Sequence, residues 1–92
     1  MTRDWTAATP ARHGQAWLKR GADDTAVFNP DSGVLHLLNA SALAIWELCD
    51  GFTTGKEMAE AVAELTTLDV DSALADVSVA LEELARQGLI VG

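Results

Sequence analysis

Cysteine and long apolar runs are nearly absent from this sequence. Cys49 is the only cysteine among 92 residues, so no internal disulfide can form. The chain opens without the apolar segment of a secretory signal, and no apolar run approaches the ~20 residues of a membrane span. His13 and His36 stand alone, so no metal-ligand spacing is present. These absences predict a soluble cytoplasmic protein without a cofactor and without a membrane partner.

Positive charge is also scarce. Six Lys and Arg residues oppose 14 Asp and Glu residues, which gives a formal net charge of −8. Nucleic acids and anionic membranes are bound through clustered cations. The composition therefore disfavours both, and a neutral or cationic partner fits better.

The length allows one domain with a thin core. Residues 1–14 have no hydrophobic period and contain both Pro and Gly, which indicates a flexible N-terminal segment before a domain at residues 15–92. Trp5 is unusual in such a segment, and we expect it to fold back onto the domain.

Three short strands are predicted first, over Gln15–Arg20, Thr25–Phe28 and Val34–Leu38. Turn residues separate them: Gly21 to Asp24 in the first gap, and Asn29 to Gly33 in the second. Two hairpins in series form an antiparallel meander.

Three helices follow, and each begins at a capping residue. Asn39 caps a nearly all-apolar helix to Cys49, and Thr54 with Glu57 forms a capping box for Gly55–Leu65. Asp69, with Asp71 as the alternative, caps the longest helix, which runs to about Gln87. Its predicted core stripe is Leu74, Val77, Leu81 and Leu84.

The predicted fold is thus α+β and winged-helix-like, with a three-stranded antiparallel sheet followed by three helices (βββααα). The second helix has Met58, Ala61 or Val62, and Leu65 on its apolar face. After the third helix, Gly88 and Leu89 have the order of a Schellman motif.

No enzyme site is visible in this pattern. Cys49 lies in an apolar helix without a nearby cation, so it is interpreted as a small buried hydrophobe. Ser72 follows Asp71 at a helix start, as the phosphopantetheine-bearing Ser does in acyl and peptidyl carriers. Those carriers are all-helical, however, whereas the first 38 residues here indicate strands.

The third strand has an unusual edge. Val34–Leu38 contains neither a charged residue nor Pro, the devices by which proteins protect exposed edges. The N-terminal segment or a loop could cover this edge. Alternatively, the edge captures a peptide as an added strand.

The sequence also resembles the PqqD-like family. The stretch from Val34 to Leu48 reads VLHLLNASALAIWEL, similar to the family's strand, Leu-Asn, small residues and Ile-Trp-Glu-Leu. The match continues through DGFTT at residues 50–54 and covers roughly residues 15–91. One departure is Ala80, where many relatives have a large apolar residue, and this leaves the pocket size open.

The resemblance implies a peptide chaperone that recognises the leader of a ribosomally made precursor peptide. The leader would add to the third strand, lie against the third helix, and be presented to a modifying enzyme such as a radical SAM protein or a leader protease. The expected binding residues are Val34, Leu35, His36, Leu37 and Leu38 on the strand, and Ala73, Asp76, Ala80, Glu83 and Gln87 on the helix.

Two other functions stay open at this point. One is a carrier protein modified at Ser72; the other is a structural or oligomerisation module that uses the same bare edge. The chain could be a monomer or a dimer.

The last two helices resemble a helix-turn-helix, but residues 55–92 hold two cations against eight carboxylates, a net charge of −6. We therefore expect no measurable binding to duplex DNA at about 150 mM salt in a mobility-shift assay. Micromolar binding would contradict this and support a transcription factor.

Overall fold

The computed structural model describes residues 4–20 and 25–91. A three-stranded antiparallel sheet is followed by three helices, which confirms the α+β class and the predicted order. Two further short strands pair with each other beside this unit. The strands are Ala11–Arg12 (β1), Trp17–Arg20 (β2), Thr25–Asn29 (β3), Val34–Leu38 (β4) and Ile90–Val91 (β5), and the helices are Ala40–Leu48 (α1), Gly55–Leu65 (α2) and Val70–Arg86 (α3).

The main sheet has the strand order β2-β3-β4, so β3 is central and β4 lies at an edge. Trp17 pairs with Phe28, which in turn pairs with Leu35. β4 has the predicted bounds, whereas β2 begins two residues later than Gln15. The predicted turn at residues 21–24 lies outside the described residues.

The second turn is described, and Gly33 adopts a left-handed φ of +73° there, with its N–H donating to the Asn29 carbonyl oxygen at 2.8 Å. This confirms the turn predicted from Asn29 to Gly33.

All three predicted helix caps are confirmed. The side chains of Asn39 and Asp69 accept backbone N–H groups three residues later, and Thr54 and Glu57 form the reciprocal capping box. At the other end of α3, the N–H of Leu89 donates to the Leu84 carbonyl at 3.0 Å, as a Schellman motif requires. Capping residues therefore set the helix boundaries.

The core lies between the sheet and the helices. From α3 it takes Val77, Leu81 and Leu84 as predicted, while Leu74 is only partly buried. On α2, Met58 is fully buried as expected, but Leu65 is 87% exposed and its predicted core position is wrong. Leu65 has the helical spacing that places it on the same face as Met58. It is the last residue of α2, however, and its side chain stays exposed to solvent.

The N-terminal segment packs against the domain over its described part, residues 4–14. Trp5 folds back, as expected: it is 1% exposed, and its indole Nε1–H donates to the Glu82 carboxylate at 2.9 Å. β1 pairs with β5 through Ala11 and Val91. The missing hydrophobic period predicts loose ordering, whereas the described part of the segment makes these contacts. A single large side chain and a two-residue strand leave no period in the sequence.

The same segment also supplies acceptors to the start of α2. The N–H of Gly55 donates to the Ala8 carbonyl at 3.2 Å, and that of Lys56 to the Thr6 carbonyl at 3.1 Å. The first N–H groups of a helix have no partner within it, so these carbonyls complete the cap that Thr54 begins.

Within the described residues, none of the helices has both the length and the apolarity to cross a membrane.

Trp46 connects α1 to the core, and its removal is expected to be severe. It is 6% exposed, and its Nε1–H donates to the Leu89 carbonyl at 3.1 Å. Trp46→Ala should lower the free energy of unfolding by ~3–5 kcal/mol, as truncation of a buried aromatic does. Thermal unfolding checks this, with Phe52→Ala, an 85% exposed aromatic, as the control. Equal, small shifts for both variants would contradict the burial of Trp46.

We expect the substitution Gly55→Ala to destabilise the protein, although Gly→Ala usually stabilises a helix. Alanine normally stabilises a helix interior by roughly 0.5–1 kcal/mol. At Gly55, however, an added Cβ would overlap the Trp5 carbonyl oxygen, which is backbone and cannot rotate away. Gly55→Ala should therefore lower the melting temperature, whereas Gly14→Ala, whose Cβ meets no atom within 4 Å, should not. A stabilised Gly55→Ala protein would show that Trp5 does not lie there.

Candidate functional site

The outer edge of β4 is open. Its five residues pair with β3 on one side, and no strand in the described ranges lies on the other. The uncharged, Pro-free sequence leaves the edge without the usual protection. β1 pairs with β5 and not with this edge, so the outward N–H and C=O groups of β4 can pair with a further strand.

The two faces of β4 differ in their surroundings. His36 lies opposite the fully buried Val27 and is half-buried. Leu35 and Leu37 lie on the other face, opposite Phe28 and Ala26, and Leu37 is 69% exposed. A strand added at this edge would therefore lie beside Leu35 and Leu37 on one face and beside the half-buried His36 on the other.

A groove separates the end of β4 from α3. Its volume is about 480 Å³, and the start of α1 closes one side of it. The lining residues are Leu37, Leu38, Asn39, Ala42, Asp76, Val79, Ala80, Glu83, Leu84 and Gln87. The groove lies directly beside the open edge, so one extended peptide could use both.

Six of the ten sequence-predicted binding residues line this groove together: Leu37, Leu38, Asp76, Ala80, Glu83 and Gln87. Val34, Leu35 and His36 lie farther along β4, outside the groove.

Ala73 is the exception, because it is fully buried in the core. At about 100° per residue, Ala73 lies only about 40° from Val77 around the helix axis, within the buried arc. Its predicted place on the groove is wrong, and the small size of alanine is explained by close packing.

Four lining residues were not predicted to bind, and one of them, Leu84, was assigned to the core stripe. Val79 is an exposed apolar residue on α3, beyond Asp76 and Glu83 around the helix. A valine on an otherwise polar helix face was the available signal. Asn39 and Ala42 line the groove from α1, and the sequence explains Asn39 equally well as a cap, so no signal separated its two roles.

The C-terminal end of the groove is polar and ordered. Gln87 donates from Nε2 to the Glu83 carboxylate at 3.2 Å, and Arg86 pairs with the same carboxylate. The Asn29 side chain donates to the Gln87 carbonyl at 3.0 Å, which fixes the backbone at this point. Gln87 Oε1 is buried without a hydrogen-bond partner among the described residues.

The candidate nucleophiles lie in unreactive surroundings. Cys49 is fully buried, its Sγ donates to the Ile45 carbonyl at 3.2 Å, and burial raises the pKa of the thiol to about 12. The thiol is therefore neutral at physiological pH, which confirms its interpretation as a buried hydrophobe. Ser72 lies in the first turn of α3, where its N–H donates to the cap Asp69. Within the described ranges, no group of three His, Cys, Asp or Glu residues could hold a metal ion.

An open strand edge beside a helix-lined groove is an arrangement that can hold an extended peptide segment. The family model described as "Coenzyme PQQ synthesis protein D (PqqD)" matches residues 24–90. The chain therefore belongs to the PqqD family, which confirms the resemblance found in the sequence.

Two solved structures have the same fold. One is TbiB1 in complex with the TbiA(beta) leader peptide, at 20% identity and a TM-score of 0.77 over 89% of this chain and 95% of that chain. The other is lasso peptide synthetase B1 complexed with the leader peptide, at 17% identity and a TM-score of 0.77 over 92% of this chain and 100% of that one. No curated protein sequence matches the chain.

Proposed function

We propose that this protein is a peptide chaperone, not an enzyme, that holds the leader of a ribosomally synthesised precursor peptide. The leader adds to the open edge of β4 as a fourth strand, and its inward side chains enter the groove against α3. The observation that carries this proposal is the continuity of the unpaired edge with the groove.

Main-chain pairing and side-chain selection have separate roles in this arrangement. Hydrogen bonds along β4 give affinity with little demand on sequence, while the groove selects alternate side chains. Leu37 and Leu38 contribute to both, because they belong to the strand and also line the groove. Family membership and the leader peptides named in the two similar structures support the same function.

The partner that receives the leader is proposed by class only. The PqqD-like resemblance favours a modifying enzyme, either a radical SAM protein or a leader protease. The domain contributes no catalytic group in this scheme; it raises the local concentration of the precursor at that enzyme. Cytoplasmic localisation is part of the proposal, because precursor and enzyme are both made there.

A carrier protein modified at Ser72 is not favoured. Carrier proteins are all-helical, whereas this chain has a three-stranded sheet. Ser72 lies in the first turn of α3, and its N–H donates to the capping residue Asp69. Incubation with a phosphopantetheinyl transferase should leave the intact mass unchanged.

The proposal predicts a specific pattern when isotope-labelled protein is titrated with the leader of a precursor encoded beside its gene. Amide resonances of residues 34–38 and of the groove-facing part of α3, about 76–87, should move, because these line the edge and the groove. The polar face of α2, with Glu57, Glu60 and Glu64, should stay nearly unchanged.

Backbone N-methylation of the peptide separates strand addition from other modes of binding. A methyl group on an amide that faces β4 removes a ladder hydrogen bond, while one on the next amide points away and does not. Methylation at successive positions should therefore weaken binding with a period of two. Uniform effects, or resonance shifts confined to Ser72 and α2, would overturn β-strand addition.

A further inference from the structure

We propose that the outer face of the main sheet docks the enzyme that modifies the precursor, and that the bound leader completes this docking surface. The outer face is the side turned away from the helices, formed by alternate residues of three strands: Trp17, Lys19, Ala26, Phe28, Leu35 and Leu37. This inference rests on the proposed function, because it names the surface through which the held leader reaches its enzyme.

The first observation is the exposed apolar character of the outer face. Trp17 is 50% exposed, Leu35 45% and Leu37 69%. The ring of Trp17 lies against that of Phe28, with centroids 5.0 Å apart, and the register places Leu35 on the other side of Phe28. Single exposed apolar residues are ordinary, whereas contiguous ones mark interaction surfaces. The row of Trp17, Phe28 and Leu35 is contiguous across all three strands.

The second observation is the charge of the outer face. The chain has a net charge of −8, yet the described strands place no carboxylate on this face. Its charged residue is Lys19, which is exposed and lies opposite Ala26. Interfaces have aromatic residues at their centre and few charges there, while charges at the rim select the partner. The partner surface that fits is apolar, with a carboxylate at its rim that faces Lys19.

The third observation is the continuity of the outer face with the peptide edge. Leu35 and Leu37 belong to β4, the strand to which the leader is proposed to add. Side chains of a strand point alternately to its two faces, so every second side chain of the leader would lie on the outer face beside these leucines. A protein docked on this face would therefore contact the domain and the leader together.

The small size of the outer face argues against a second copy as its occupant. A standard protein interface takes about 20–30 residues from each side. The outer face has six, and one of them, Ala26, is buried. Pairing of two copies through it would also bring the same cation, Lys19, from both into one small contact. An added leader strand enlarges the face, which favours a partner that binds the leader-bound form.

The test is binding of the purified modifying enzyme encoded beside the gene to the immobilised full chain, by biolayer interferometry with and without saturating leader. The variants are Trp17→Thr, which removes the exposed ring and keeps a β-branched strand residue, and Lys19→Glu. The matched controls are Phe52→Thr, in the loop between α1 and α2, and Lys56→Glu, at the start of α2; both residues are exposed. Melting temperatures establish that each variant is folded.

We expect Trp17→Thr to weaken enzyme binding about 10-fold or more, as the loss of an interface aromatic does. Lys19→Glu should slow association, because a rim charge acts mainly on the on-rate. Neither control should have these effects. The leader should raise the affinity for the enzyme, and the enzyme should raise that for the leader by the same factor. Without enzyme, Trp17→Thr should bind the leader as the native chain does, since Trp17 lies on β2, two strands from the binding edge.

Three outcomes would overturn the inference in different ways. Equal enzyme binding by the native chain, Trp17→Thr and Lys19→Glu, with leader binding intact, leaves leader capture standing and shows that the enzyme docks elsewhere. A native dimer in sedimentation velocity that Trp17→Thr dissociates shows that a second copy fills the face. Failure of the leader to bind the native chain overturns the proposed function together with the inference.

Discussion

The arrangement of this domain depends on one peptide carbonyl, that of Leu89. It accepts the Trp46 indole N–H at 3.1 Å and the His13 backbone N–H at 2.9 Å, while the N–H of the same residue closes the end of α3. One residue thus joins the N-terminal segment, α1 and α3. Because Leu89 is fully buried, its carbonyl must be paired, and both donors come from segments distant in sequence. This junction ties α1 to the end of α3, and both helices line the groove.

The helix boundaries could be predicted because they depend on local chemistry. Asn39, Thr54 and Asp69 each satisfy N–H groups within three residues, so their role is visible in a short window of sequence. β1 and β5 could not be predicted, because they are two residues long and pair across almost the whole chain. The sequence suggested that Trp5 folds back but not where it packs, since its partner Glu82 is 77 residues away.

The location of the candidate site could be predicted from the sequence, but the full set of residues that form the walls of the groove could not. The open edge follows from an absence of charge and Pro in Val34–Leu38, and one side of α3 follows from helical spacing. Helical spacing cannot fix where the buried arc ends, which is why Ala73 was misplaced and Val79 was missed. The third wall of the groove comes from α1, and its approach to α3 is a tertiary contact that no local pattern shows.

The open edge of β4 has a consequence for the free protein. The groups that would pair with a peptide can equally pair with β4 of a second copy, so self-association and peptide capture compete for the same hydrogen bonds. Two copies joined in this way would also close the neighbouring groove. The net charge of −8 opposes such a meeting, because two equal, strongly acidic surfaces repel at short range. The acidity of the chain therefore disfavours pairing of two copies through this edge, and a rise in salt weakens that repulsion.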